Sequence, residues 1–311
     1  MFKKRKKISS VNILLTNQCN KNCSFCFQRN IGSGIKKLSE RDITLFIDWV
    51  LKEKNSSKKL WVNFMGGEPL IKFELIKKII DKYKNILFSL NTNGLLLNKE
   101  SINYFNKKKI LVTISIQEKN EQIFDVIKNL RPKSLSFNLV VTPKKSKKLF
   151  SNFVYIYKNY PNKIYILPTR GSKWTKLGCV TYANQFIKCI LYEIKEKGSA
   201  LDVVERYITN EGPLCGFNGD LVLSYDKNIY IGLENSIYGK SVPQSIMGSI
   251  KGNKLCIKKR FVDCCTNTDD CGICKKIILS SQLAGKSKFN NLMLKINEKL
   301  VKRVIKNEKH L

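Results

Sequence analysis

One histidine, His310, stands near the end of a chain of 311 residues, so metal binding has almost no imidazole to draw on. No apolar run approaches the ~18 residues that cross a bilayer, which excludes a membrane-spanning helix. The basic start, residues 1–10, has no apolar signal core behind it. No secretion signal is read there, and a cytoplasmic location is expected. Acidic side chains are scarce, 24 Asp and Glu against 57 Lys and Arg, for a formal charge of +33. Internal repeats and low-complexity linkers are missing too. What remains is a 43% hydrophobic share, enough for a sizeable core, and eleven cysteines. In a reducing compartment thiols serve as metal ligands or reactants more often than as disulfides. They cluster, with three in 19–26, two in 179–189 and six in 215–274.

The positive charge would raise nucleic-acid binding through counterion release. The excess is mostly lysine, spread over every expected helix and mixed with Asn and Ile, which marks a chain-wide bias. Basic residues interleaved with base-stacking aromatics do not occur as a run, and no RNA-binding module is recognisable. Nucleic acid therefore ranks behind other partners.

Residues 11–167 alternate short β-branched or aromatic runs with segments of helical period, the mark of βα units. Six strands are expected, at 11–15, 60–64, 86–90, 110–116, 135–142 and 163–167. The first helix has Ser39 as N-cap, Asp42 three residues on, and Leu45, Phe46, Trp49 and Val50 as its buried stripe. Others are expected near 73–83, 99–106, 121–130 and 145–159. Six βα units fall short of a closed eight-stranded barrel. The expected fold is α/β, a partial (β/α)6 TIM-like barrel with its chemistry at the C-terminal ends of the strands. Residues 1–175 are assigned to this barrel and 176–212 to a helical connection, with helix through 180–209. A cysteine-rich extension over 213–280 includes a hairpin of 221–225 and 229–231 around Asp226-Lys227-Asn228. A basic helix, roughly 289–307 within 281–311, is expected to pack on the barrel.

The first strand runs into Thr16-Asn17-Gln18-Cys19-Asn20-Lys21-Asn22-Cys23-Ser24-Phe25-Cys26, a C-x3-C-x2-C spacing. A cubane cluster takes four ligands, so three thiolates leave one iron open, as a catalytic metal site requires. A bidentate small molecule with amino and carboxylate groups could fill that position. Buried structural thiols on one helical face are the competing reading, but such cysteines sit among apolar neighbours, and these are embedded in Thr, Asn, Gln, Lys and Ser. The segment resembles the signature of the radical S-adenosylmethionine (SAM) superfamily, including the aromatic Phe25, which in that family lies beside the adenine. The resemblance implies a 4Fe–4S cluster on Cys19, Cys23 and Cys26 and SAM as the second cofactor. It also implies reductive SAM cleavage to methionine and a 5′-deoxyadenosyl radical that abstracts a substrate hydrogen.

After the second strand comes Met65-Gly66-Gly67-Glu68-Pro69. Two glycines allow close backbone approach to a ligand, Glu68 offers a counter-charge to an ammonium, and Pro69 suits a first helical turn. The segment resembles the family's GGEP motif, which holds the SAM amino group. Asn91-Thr92-Asn93-Gly94 is similar to the family's TNG element. Ser115, Gln117, Asn138 and the stretch from Leu167-Pro168 to Gly171 resemble further cofactor-facing positions, each of which could instead cap a turn.

The stretch from Cys215 to Asp220, Met247-Gly248-Ser249-Ile250 and the block Cys264-Cys265-x5-Cys271-x2-Cys274 resemble the opening, connector and closing block of a SPASM or twitch extension. The expected hairpin cysteine is replaced by Gly232, and the block is compressed. One auxiliary 4Fe–4S cluster is therefore expected, on Cys265, Cys271, Cys274 and Cys215, with Cys264 and Cys256 in reserve. A zinc knuckle on the same thiolates and a metal-free extension remain open. Cys179 and Cys189 read as core thiols or, with Cys256, as hydrogen-atom donors.

The resemblance implies a maturase acting on a ribosomally made precursor peptide, by crosslinking or epimerisation. Flavodoxin or ferredoxin would be its electron donor, and an acidic leader would suit the basic surface. A separate chain, or the barrel and extension themselves, would then recognise the leader. A radical SAM enzyme acting on RNA or a small molecule, and a non-catalytic metal-binding protein, are the alternatives.

Overall fold

Asn12, Asn63 and Ser89 interrupt three short apolar runs, and that alternation places each run in a strand with one buried face. The computed structural model describes residues 8–26, 34–54, 59–131, 134–169, 172–197, 221–231 and 246–258. These residues form an α/β fold, a parallel sheet of six strands with an antiparallel C-terminal extension, consistent with a partial TIM-like barrel. They divide into two compact units, 8–92 with 96–112 and 221–258, and 93–95 with 113–197.

The first unit contains β1 (Ser10–Leu14), α1 (Glu40–Glu53), β2 (Trp61–Met65), α2 (Phe73–Lys82), β3 (Leu87–Thr92) and α3 (Lys99–Lys108). Later in the chain it adds β7 (Leu221–Leu223), β8 (Asn228–Ile231), β9 (Ile246–Lys251) and β10 (Lys254–Ile257). Its strands run in the order β10-β9-β8-β7-β1-β2-β3. β1 pairs in parallel with both β2 and β7, whereas β7 to β10 pair antiparallel in succession. Val11, Ile13, Val62, Phe64, Phe88 and Leu90 form the buried face. The Phe64 and Phe88 rings stack at 5.7 Å.

The Ser39 cap and its reciprocal bond with Asp42 are as expected, but the buried stripe of α1 is Ile43, Phe46, Ile47 and Val50. Leu45 and Trp49, expected in that stripe, are only partly buried. The cap fixes where the helix starts, and the sheet then selects the face at i, i+3, i+4 and i+7 that begins at Ile43.

The hairpin turn carries Lys227 at φ 64, and its ammonium lies 3.2 Å from the Asp42 carboxylate. Burial works against the Asp42 charge. The Ser39 N–H and hydroxyl, together with Lys227, outweigh it and hold the carboxyl below its ordinary 3.8. Stabilisation from a depressed carboxyl is present above the unfolded-state value and lost as pH falls through the folded one. Asp42→Asn, which turns charge-assisted hydrogen bonds into neutral ones, is therefore expected to lower unfolding free energy by about 1 kcal/mol at neutral pH. In urea titrations the gap should close as the pH drops below 3.8.

The second unit contains most of β4 (Leu111–Ile116), followed by α4 (Glu121–Ile127), β5 (Leu135–Val141), α5 (Leu149–Asn159), β6 (Lys163–Pro168) and α6 (Lys176–Lys197). β5 and β6 pair in parallel, Ser136 opposite Lys163 through Val141 opposite Pro168. α4 ends three residues before its expected limit. There Leu130 N–H bonds the Ile127 carbonyl in a tightened turn, ahead of Pro132, which disfavours helix in the residue before it. The helix expected from 145 begins as a 3-10 turn at Pro143–Lys148, capped by the Thr142 hydroxyl. α6 starts at Lys176, four residues early, because the Thr175 hydroxyl accepts the Gly178 N–H at 3.1 Å. Residues 198–209 and the helix expected at 289–307 lie outside the described residues. None of the described helices is long and apolar enough to cross a membrane.

Candidate metal and cofactor site

β1 and β2 keep pairing beyond their ends. Leu15 N–H bonds the Met65 carbonyl at 2.9 Å, Gly67 N–H bonds Thr16 O at 2.7 Å, and Glu68 N–H bonds Gln18 O at 2.7 Å. On the other side, residues 34–38 return alongside the same segment. Leu38 N–H reaches Leu15 O at 2.9 Å, the Thr16 hydroxyl reaches Lys36 O at 3.0 Å, and the Asn17 side chain reaches Gly34 O at 2.9 Å. The loop that carries the three cysteines is thus pinned at both ends, at Asn17 and at Gly34.

The same contacts redefine the two glycines. A Cβ on Gly67 would stand 2.0 Å from the Gln18 carbonyl oxygen, and one on Gly66, at φ +138, would stand 2.6 Å from Thr16 O. Close approach was expected toward a ligand. The space is taken by the chain's own backbone, one to three residues before Cys19.

Within the loop Cys19 is exposed, while Cys23, Phe25 and Cys26 are partly buried. Cys26 N–H bonds the Cys23 carbonyl at 3.1 Å in a turn that includes Phe25. Burial pushes the Cys19 thiol above its ordinary value, the Lys21 N–H opposes that, and the charges of Glu68, Cys26 and Cys23 add to it. The three thiols and Glu68 are therefore electrostatic neighbours. Among the described residues no three Cys, His, Asp or Glu side chains gather tightly enough to hold a metal ion.

Glu68 is fully buried. Its Oε1 accepts the Thr92 hydroxyl at 2.7 Å and the Leu70 N–H at 3.1 Å, so β3 orients the carboxylate that follows β2. A hydrogen bond to a charged group is worth about 1.5–3 kcal/mol. Thr92→Val is expected to cost about that much stability in chemical unfolding, and Thr92→Ser to recover most of it.

Asn93, Ser115 and Asn138 fall in the second unit. The Asn93 Oδ1 accepts the Leu95 N–H at 3.0 Å, capping its own turn. Ser115 and Asn138 are half-buried on β4 and β5. The Gln117 carbonyl accepts from Asn152 at 3.3 Å. Trp174 Nε1 donates to the Thr169 carbonyl at 2.8 Å, just after Leu167-Pro168. Gly171 is outside the described residues.

Cys179 and Cys189 are fully buried on the face of α6 that also carries Tyr182, Phe186 and Ile190. Burial pushes both thiols up, Cys189 well above its ordinary value with a further push from Glu193, so both keep their protons. Cys256 is exposed on β10, opposite Ser249. Met247-Gly248-Ser249-Ile250, expected as a connector, lies inside β9, where the missing Gly248 side chain admits the Cys256 carbonyl. Gly232, Cys215, Cys264, Cys265, Cys271 and Cys274 lie outside the described residues.

Two features escaped the sequence reading. Asn12, Asn63 and Ser89 are in register across β1, β2 and β3. They bond in series, Asn63 Nδ2 to Asn12 Oδ1 at 2.9 Å and Ser89 Oγ to Asn63 Oδ1 at 3.0 Å, with Trp61 Nε1 donating to Ser89 at 2.8 Å. Polar residues at alternate positions of apolar strands were the available signal. The other is Tyr225, whose buried hydroxyl no local pattern could have revealed.

Residues 13–146 match the model of the radical SAM superfamily. The radical SAM cyclopropyl synthase TigE of Paramaledivibacter caminithermalis is 28% identical over 132 residues, 37% of this chain and 28% of that protein. The FeMo cofactor biosynthesis protein NifB of Methanocaldococcus jannaschii is 30% identical over 122 residues, 35% of this chain and 40% of that protein. The chain spans less than half the length of the curated relatives it matches. Among solved structures, native anSMEcpe with bound AdoMet and Kp18Cys peptide superposes with a TM-score of 0.59 at 18% identity, covering 93% of this chain and 83% of that one. That likeness is one of fold.

Proposed function

We propose, from the premise that residues 13–146 are a radical SAM superfamily domain, that the protein cleaves SAM reductively and modifies a ribosomally made peptide. Cys19, Cys23 and Cys26 would hold the 4Fe–4S cluster. The donor set suits it, because thiolates are the usual ligands of iron–sulfur clusters and three of them leave one iron of a cubane open. The cluster, when bound, supplies the electron that breaks the SAM sulfonium bond and yields the 5′-deoxyadenosyl radical.

This chain's residues provide the rest. The observation that carries the reading is the pinned cysteine loop lying against a fully buried carboxylate. Glu68, held by Thr92, would take the SAM ammonium. Gly66 and Gly67 let the turn that bears Glu68 lie against the backbone leading to Cys19. Phe25 would cover the adenine, and Asn93, Ser115 and Asn138 would offer polar contacts to the ribose or methionine carboxylate.

Peptide as the substrate class is supported by the fold shared with a peptide-bound neighbour over most of both chains. An auxiliary 4Fe–4S cluster on Cys215, Cys265, Cys271 and Cys274, with Cys264 in reserve, would accept an electron in a crosslinking reaction. Epimerisation would instead need a hydrogen donor, and the protonated thiols of Cys179 and Cys189, or Cys256, are the candidates. A flavodoxin or ferredoxin would deliver electrons, and the basic surface would favour an acidic leader.

Anaerobic, iron-loaded, dithionite-reduced protein should form deoxyadenosine from SAM. Co-expression with a short acidic-leader precursor should then give a peptide lighter by two hydrogens for a crosslink, or of unchanged mass but inverted configuration for epimerisation. A reduced, cluster-loaded protein that makes no deoxyadenosine refutes the enzyme reading. Deoxyadenosine formed in the presence of RNA or a small molecule, with every peptide inert, refutes the substrate class.

A further inference from the structure

Tyr225 is 2% exposed, yet its hydroxyl has no hydrogen-bond partner among the described residues. Buried hydroxyls are nearly always bonded, because an unmade bond leaves their desolvation uncompensated. Phenylalanine would fill the same space without that penalty, so the oxygen calls for a partner.

Its position identifies one. β7 runs parallel to β1 with Leu223 opposite Ile13. Two residues beyond Leu223, Tyr225 lies in the hairpin turn closed by the Ser224 N–H to Asn228 carbonyl bond. The residue packs with Leu14, Val222 and Tyr230, and Met65 and Ile246 lie against that cluster. Leu14 and Met65 are the last residues of β1 and β2, so Tyr225 is lodged where the cysteine loop and the Gly66-Gly67-Glu68 turn begin. Burial first, then the charges of Asp226 and Cys26, push its phenol up. Cys26 is thus an electrostatic neighbour. The adjacent Asp226 is engaged elsewhere, accepting from Asn228 N–H at 3.1 Å and from the Tyr230 hydroxyl at 2.7 Å.

We infer that the Tyr225 hydroxyl donates a hydrogen bond to the Cys26 thiolate when that cysteine ligates the cluster, and so raises the cluster's reduction potential. The inference rests on the three-cysteine reading above. Tyr225 acts through Cys26 and is a positioning residue. A thiolate that accepts a hydrogen bond gives less electron density to iron, which favours the reduced cluster.

The test is a redox titration, followed by electron paramagnetic resonance, of anaerobically iron-loaded wild-type, Tyr225→Phe and Tyr230→Phe proteins. Tyr225→Phe should shift the oxidised-to-reduced ratio at fixed potential about tenfold toward oxidised, a midpoint ~59 mV more negative for one electron. Tyr230→Phe, whose hydroxyl serves Asp226, should leave the midpoint in place. In metal-free protein Tyr225→Phe should melt at or above the wild-type temperature, since it removes a polar group that has no partner among the described residues. An unchanged midpoint at wild-type iron content overturns the inference, as does a lower melting temperature of the metal-free variant. The wild type gives an independent reading. If its reduced cluster, compared in ordinary and heavy water by electron–nuclear double resonance, couples to no exchangeable proton, the donor is refuted without any variant. Wild-type protein that takes up no iron refutes the cluster itself, an outcome visible in the iron assay and distinct from a failed shift.

Discussion

On the proposed three-thiolate site, alanine at any one of Cys19, Cys23 or Cys26 is expected to abolish cluster loading and cut deoxyadenosine formation by well over 100-fold. Loss of a metal site's outer-sphere partner alone costs about 10–100-fold, and removing a ligand is more severe. Three thiolates are the fewest that hold a cubane while leaving one iron open. Two would leave it to be lost to solvent or competing thiols. The folded chain should tolerate the change, because Cys19 is exposed and Cys23 and Cys26 are only partly buried. Far-ultraviolet circular dichroism and melting of the metal-free proteins should match wild type while iron content and visible absorbance collapse. Burial pushes the Cys19 thiol up, with Glu68, Cys26 and Cys23 adding to it. Cluster loading, which requires thiolates, should accordingly release protons and slow as pH falls. Wild-type rates of deoxyadenosine formation from a cysteine-to-alanine protein would end the three-thiolate account.

Gly67→Ala should be nearly as damaging by a different route. Its Cβ would meet Gln18 O at 2.0 Å, Gln18 C at 2.5 Å and Asn17 C at 2.9 Å. All three are backbone atoms of a segment braced on its far side by residues 34–38, so no side-chain rotation can relieve the clash. Relief requires separating the two turns, which breaks the bonds from Gly67 to Thr16 and from Glu68 to Gln18. Overpacking costs about 1–3 kcal/mol and each lost hydrogen bond about 1 kcal/mol. A loss of at least ~3 kcal/mol follows, a fall of roughly 5 °C or more in melting temperature, with poor iron loading because the cysteine loop loses one of its anchors. Gly252→Ala is the control. Among the described residues nothing lies within 4 Å of its Cβ and only its φ of +55 is strained, worth about 1–2 kcal/mol with iron loading intact. A Gly67→Ala protein that melts with wild type and loads iron fully would show that the two turns are not packed as described.

Neighbouring residues in the chain were enough for much of this protein. Short β-branched or aromatic runs between segments of helical period placed all six parallel strands to within two residues, because such runs bury at least one face whatever lies beside them. Ser39 and Asp42 marked the start of α1 through a bond made within four residues. The cysteine spacing and the Gly66-Gly67-Glu68 turn carried the cofactor reading through motif chemistry. Contacts between distant segments settled the rest. Which face of α1 is buried depends on the sheet beneath it, so Ile43 and Ile47 displaced Leu45 and Trp49. The atoms that Gly66 and Gly67 accommodate belong to the segment just after β1, some fifty residues earlier. Asn12, Asn63 and Ser89 join only once β1, β2 and β3 are in register. Tyr225 reaches the exit of β1 because β7 pairs with that strand in parallel across more than two hundred residues of chain. Hydrophobic period and capping act over one or two turns of chain, whereas strand partners and backbone clearances exist only after the chain has closed on itself.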